Sequence, residues 1–286
     1  MAVRTWDVAD FDRVQVRSTF QAEIIKGTGF KVTTSADDNV LPRIKVVKEG
    51  TTLKISIDRG SYRLKSPLKA EITLPSLAGI DIGGASKGLL KGFQSERELS
   101  LKITGASELR GRIAVEKGDF KVDGASTLSL VGSAQAAHLS AEGSSHIKMN
   151  EFLLKDGKIE LEGASTAEIA VKSDALFKAE LSGASTLKGS IQAMASDLEL
   201  DGASEATLAG AANGAKIHVL SASSLKMPGL VLQNADVKIS GAGHATIDVR
   251  GKLKYDLYSA SSLKYLGKPT TLDGSKSGGS SISRGR

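Results

Sequence analysis

One feature limits this chain more than any other. A triplet of small residues, mostly Gly-Ala-Ser, keeps returning at almost constant spacing. Its copies start at Gly84, Gly105, Gly124, Gly143, Gly163, Gly183, Gly202, Ser221, Gly241 and Ser259, 18–21 residues apart. A catalytic motif needs to occur once; ten copies make a structural repeat, and the period is that of a one-turn unit in a solenoid.

The flanking residues give the type of solenoid. Two and four positions before each triplet the residues are apolar, as in Ile80/Ile82, Leu101/Ile103, Ile159/Leu161 and Val237/Ile239, with polar or charged residues between them. Four positions after each triplet start an apolar residue returns, as in Leu109, Leu128, Ile147 and Leu187, and only Gly88 departs. Alternation with period two marks a half-buried strand. Each unit therefore reads as strand, triplet, strand and a shorter, more variable stretch. The period is too short for ankyrin-type or tetratricopeptide-type repeats and about half of a β-propeller blade. The fold class is all-β: a single-stranded parallel β-helix of about ten rungs. Gly84, Gly105, Gly124, Gly143, Gly163, Gly183, Gly202 and Gly241 are the expected turn residues, because glycine reaches conformations that a Cβ disfavours.

Three segments follow. Residues 1–78 hold no triplet but several strand-like runs, and are expected to form an N-terminal β cap or leading sub-domain. Residues 79–270 are the β-helix. Residues 271–286, "TLDGSKSGGSSISRGR", are a loose last rung or a flexible tail.

Composition excludes several function classes. The 286 residues carry no cysteine, so disulfides, thiolate metal sites and cysteine nucleophiles are out. Basic and acidic residues number 38 and 32, mixed along the chain without a Lys/Arg block, which does not suggest nucleic acid. No apolar run is long enough for a membrane span. The N-terminal "MAVRTWDVADFDRV" lacks the pattern of a secretory signal, so the protein is either not exported or lacks its signal here. No cofactor is expected.

The opening "FDRVQV", the run "LKAEITLP" into "IDIGGAS", the serial triplets and the close on Tyr265, Gly267 and Pro269 together resemble the "putative auto-transporter adhesin, head GIN domain" family of bacteria. The resemblance covers nearly the whole chain. It implies a β-helix-like fold, a cell-envelope or secreted location and an adhesin-like role, and it supplies no catalytic residues. A cell-surface protein or polysaccharide is the implied kind of partner, its identity unknown, and an oligomer is left open.

Among chemistry-bearing residues, the triplet serines lack a base repeating alongside them, so they read as turn residues rather than nucleophiles. His138, His146, His218 and His244 are dispersed outward-facing positions. The acidic residues form the one pattern of interest. Asp123, Glu142, Glu160, Glu162, Glu180, Glu199 and Asp201 stand at outward positions before successive triplets, an expected acidic stripe. The plain reading is a solvated face. Two alternatives are a polysaccharide-active enzyme, which would need a pair of carboxylates as acid and base, and a Ca²⁺-binding solenoid. With aromatic residues at 4%, stacking platforms for sugars are scarce, so a non-enzymatic structural or binding protein is the expectation.

Overall fold

The computed structural model describes residues 2–58, 60 and 63–285. It is all-β, a parallel β-solenoid of about eleven turns, with a single short 3₁₀ turn at Leu41–Arg43 among the described residues. The chain forms two compact units, residues 1–134 and 135–286.

In the second unit the alternation seen in the sequence becomes two columns, buried as far as Val237 and Leu257 and open to solvent at the last turn. One runs Ile159, Ala179, Leu198, Ile217, Val237, Tyr255 and Gly274, each in register with the next. The other runs Leu161, Leu181, Leu200, Val219, Ile239, Leu257 and Lys276. Side chains on a strand alternate between faces, so this register places like on like. The variable stretch is strand as well: Thr186–Leu200 pairs along its length with Glu205–Val219. Length differences between turns are absorbed at bulges such as that between Met227 and Val231, where the pairing with the next strand slips.

The triplet turns the chain between its two strands. All eight expected turn glycines have positive φ, from 64° at Gly84 to 82° at Gly105. The turns are also stacked tightly: a Cβ on Gly163 would lie 2.6 Å from the carbonyl oxygen of Gly143. Ser221 and Ser259 fill the same position with φ of 56° and 62°, a less favourable conformation for a residue with a side chain. Gly88 breaks the apolar pattern for a different reason. The side chain of Leu109, one turn on, fills its place, and a Cβ there would lie 2.6 Å from the Leu109 Cδ1.

In the first unit, parallel turns begin well before the first triplet. The strands are β1 (Ala2–Trp6), β2 (Arg13–Val16), β3 (Gln21–Lys26), β4 (Lys31–Ala36), β5 (Ile44–Glu49), β6 (Thr52–Ile57), β7 (Lys69–Leu74), β8 (Gly79–Ile82) and β9 (Lys87–Ile103). β2 pairs in parallel with both β6 and β8, and β3 with both β7 and β9. The β2–β3 turn therefore lies between the β6–β7 and β8–β9 turns, out of sequence order. Its corner is Ser18 and Thr19, with φ of 72° and 66°, and Phe20 takes the buried position that serine holds in later turns. Antiparallel strands close this end: β4 on β7, β1 on β4, and β5 on β6. The edge strand β5 carries Lys45 and Lys48, charges that discourage further strand pairing.

At the other end of the chain, Thr271–Lys276 and Ser281–Arg284 form one more paired turn around Gly278, Gly279 and Ser280. Its positions in the two columns are Gly274 and Lys276, both exposed, instead of buried apolar residues. Tyr255 lies against Gly274, where a Cβ would be 2.8 Å from the tyrosine ring.

Candidate functional site

The triplet serines are buried: Ser86, Ser107, Ser126, Ser145, Ser165, Ser185, Ser204, Ser223 and Ser261 all face inward. Ser145, Ser185 and Ser204 each donate a hydrogen bond of 2.7 Å to the carbonyl three residues earlier, on Glu142, Ser182 and Asp201. In the first unit the hydroxyls of Ser107 and Ser126 accept from the backbone N–H of Ser86 and Ser107, one turn back, at 3.2 and 3.3 Å. At these five corners the hydroxyl closes its own turn or ties it to the one before, whereas those of Ser86, Ser165, Ser223 and Ser261 are buried without a hydrogen-bond partner among the described residues; all nine serines are shielded from any substrate in solvent.

The acidic positions fall into two columns. Glu160, Glu180 and Glu199 are in register on three successive turns of the second unit. Glu142, Glu162 and Asp201 stand in the other column, immediately before Gly143, Gly163 and Gly202. Asp123 holds the equivalent place before Gly124 in the first unit. The second column serves the turns: Asp123 Oδ1 accepts from the Gly124 N–H at 2.5 Å. Asp201 Oδ1 accepts from the Gly202 N–H and from the Ser221 hydroxyl, both at 2.6 Å, and these bonds hold its carboxyl below the usual aspartate range.

The first column is interleaved with cations. Lys158 and Lys178 lie in register two residues before Glu160 and Glu180, on the same outward face. Lys158 bonds Glu160 and reaches Glu180 at 3.2 Å, while Lys178 bonds Glu180 at 2.6 Å. His138 Nε2 lies 2.8 Å from Glu160 Oε2. Hydrogen bonds from Lys158 and His138 pull the Glu160 carboxyl below the ordinary glutamate range; Lys178 and Lys158 do the same to Glu180. Both lysines are held above their ordinary range by the same bonds. Among the described residues, no group of three or more His, Cys, Asp or Glu is placed to hold a metal ion.

These carboxylates work in stability. Their folded-state values are depressed, so their contribution is complete above the ordinary carboxylate range and is lost as pH falls through the depressed values. Glu180→Gln is therefore expected to destabilise the fold slightly at neutral pH, by less than about 1 kcal/mol for so exposed a pair, and to lower the melting temperature accordingly. It should also flatten the fall in melting temperature between about pH 5 and about pH 3. An acid-side fall as steep as in the parent protein would show that the Glu180 pairs contribute nothing.

A different column was missed in the sequence. Lys148, Glu168, Lys188, Thr207, Lys226, Thr246 and Lys264 are in register on seven successive turns of the second unit. The signal was present: lysine stands five residues after the triplet start in "SHIKM", "STLKG", "SSLKM" and "SSLKY", which is every second unit. All four lysines are exposed. Grooves are shallow by comparison. One of about 820 Å³ in the first unit is lined by Leu77, Glu96, Arg97 and Glu116 among others. Its buried Glu96 is already paired with Lys26 at 2.5 Å and with the Leu77 N–H at 3.3 Å.

The sequence profile of the family described as "Putative auto-transporter adhesin, head GIN domain" matches residues 10–179 and again 172–269. The chain belongs to this family. No curated protein matches it. The head GIN fold is shared with a "putative adhesin" from Bacteroides fragilis NCTC 9343 at 19% identity and a TM-score of 0.67, over 73% of this chain and 96% of that one. A "putative adhesin" from Parabacteroides merdae ATCC 43184 aligns at 13% identity and a TM-score of 0.47, over 100% of this chain and 96% of that one. The profile matches twice because the head GIN repeat is periodic, and the second match picks up seven residues before the first ends.

Proposed function

We propose that this head GIN protein is a non-enzymatic, adhesin-like binding protein of the bacterial cell envelope or its secreted fraction, presenting flat, repetitive β-faces to a surface partner. The family description and the adhesin-described fold neighbour support the binding role and the location. Among the described residues, no helix is long and apolar enough to cross a membrane.

One observation carries the non-enzymatic part. A glycosidase acid needs a carboxyl with a raised pKa, set beside a second carboxylate that stays ionised. Glu160 and Glu180 are register neighbours on adjacent turns, but lysines pull both of them down. Neither is fitted to deliver a proton near neutral pH. No specific observation favours a Ca²⁺-stiffened solenoid, since Lys158 and Lys178 already occupy the spaces beside these carboxylates.

The test has two arms. Beads coated with the protein are expected to attach to bacterial or host cell surfaces, while uncoated beads do not. Incubation with neutral and acidic polysaccharides is expected to release no new reducing ends. Release that disappears in Glu160→Gln or Glu180→Gln would replace this reading with the enzymatic one.

A further inference from the structure

We infer that the lysine column of the second unit is a docking face for a linear acidic polysaccharide that carries one carboxylate per disaccharide, lying along the stacking direction of the turns. The inference rests on the adhesin-like reading and names its ligand class.

Lys188, Lys226 and Lys264 alternate with Thr207 and Thr246 in one column, in unbroken register. Parallel strands are about 4.8 Å apart, so consecutive lysines of this column stand roughly 9.6 Å apart and the three span about 19 Å. That interval is close to one disaccharide of an extended β-linked chain. Lys148 continues the interval past Glu168.

Charge balance separates this face from the one across the triplet corner. There, Lys158 and Lys178 are engaged by Glu160 and Glu180. Lys216 and Lys254 alternate in register with Asp197, Asp236 and Asp273, and Lys238 stands in register with Asp256. Here, among the described residues, Lys148, Lys188 and Lys264 make no ion pair. Lys226 pairs only with Glu205, at 2.6 Å, and both partners are about half exposed. An exposed pair of this kind is worth little, so an incoming carboxylate can exchange with it. The face therefore keeps net positive charge.

The neighbouring column supplies the second kind of contact. Two residues before each lysine stand His146, Thr186, Ser224 and Ser262, outward on the same face. Hydroxyls beside a cation suit a polyol that carries a carboxylate, since they can both donate and accept. A nucleic acid fits less well. Its phosphates repeat at shorter intervals, and neither column offers Phe, Tyr or Trp on which bases could stack. The face is flat and built on strands, so the lysine anchors are already spaced before the ligand arrives.

The experiment uses the whole protein, with hyaluronan as the one-carboxylate-per-disaccharide probe, dextran as the neutral one, and a single-stranded oligonucleotide as a polyanion without that repeat. Retardation in gels containing each polymer reads the affinity. The expected result is retardation by hyaluronan, weakened by salt, and none by dextran. The triple variant Lys188→Gln, Lys226→Gln, Lys264→Gln is expected to bind hyaluronan at least tenfold more weakly. A matched triple on the other outward face, Lys216→Gln, Lys238→Gln, Lys254→Gln, removes the same charge and should bind as the parent does. The inference is overturned by absence of hyaluronan binding, by equal weakening in the two triples, or by oligonucleotide binding as tight as hyaluronan binding. Cell attachment of coated beads that persists in the first triple likewise removes the lysine column from the ligand site, while leaving the adhesin-like reading standing.

Discussion

Replacing Gly163 with alanine lowers the melting temperature by roughly 6–12 °C, the expected effect of losing about 3 kcal/mol in a chain of this size. Two costs combine. Gly163 has φ of 72°, a left-handed conformation that costs a residue with a Cβ roughly 1–2 kcal/mol. The added Cβ also lands 2.6 Å from the Gly143 carbonyl oxygen and 3.2 Å from the Gly143 nitrogen. Both are backbone atoms in the turn next to it, so relief means pulling two turns apart. That would strain the 2.7 Å bond from the Ala164 N–H to the Gly143 carbonyl. Alanine also narrows the unfolded ensemble, a gain of about 0.4–1 kcal/mol that is too small to reverse the sign. Gly214→Ala provides the control. A Cβ there meets nothing within 4 Å, and its backbone is not left-handed. It is expected to raise stability by about that unfolded-state gain of 0.4–1 kcal/mol. Thermal melts of the two variants, followed by circular dichroism, should move in opposite directions. If Gly163→Ala melts with the parent, the stacked corners do not hold the turns in place.

The second large effect belongs to Phe177. It is fully buried and sits in register between Gly157 and Ser196, with no other large side chain at these register positions; the space beside Gly157 itself is taken by Leu154. Phe177→Ala is expected to cost about 3–5 kcal/mol, because the strands on either side are fixed by their hydrogen bonds and cannot close over the gap. Phe177→Leu should recover more than half of that. Equal losses for Ala and Leu in chemical denaturation would mean that the ring makes a specific contact instead of filling volume.

Such complementarity explains what could be read from the chain and what could not. The turns at Gly105 through Gly241 were legible because the same corner and the same two inward positions repeat, and repetition survives local exceptions such as Gly88. The β2–β3 turn was hidden. Ser18 and Thr19 adopt the left-handed corner without glycine, and Phe20 replaces the inward serine, so no triplet marks the place. The last turn, around Gly278, reads from the sequence only as a loose last rung or a flexible tail, for the opposite reason. Its triplet is present, but Gly274 and Lys276 occupy the positions where apolar residues signal a strand. The acidic positions were legible as outward-facing. Their neutralisation was not, because Lys158 and Lys178 lie two residues away along the strand and act on the neighbouring turn as well as their own. The lysine column escaped because it keeps a period of two turns, and reading one turn at a time averages it away.

The place of β2–β3 between β6–β7 and β8–β9 bears on how the molecule is made. A solenoid whose turns stack in chain order can grow by adding each new turn to the last. Here the first parallel turn to leave the ribosome has neither of its parallel partners until residues 52–91 have followed it. The β6–β7 turn must double back onto one side of it and the β8–β9 turn onto the other. Loop closure over several tens of residues precedes any local reward, so this end is expected to fold more slowly than turns that stack in chain order. Once closed, it holds the beginning of the chain as a clasp holds a strap, with strands on both sides that no simple fraying from the N-terminus can release.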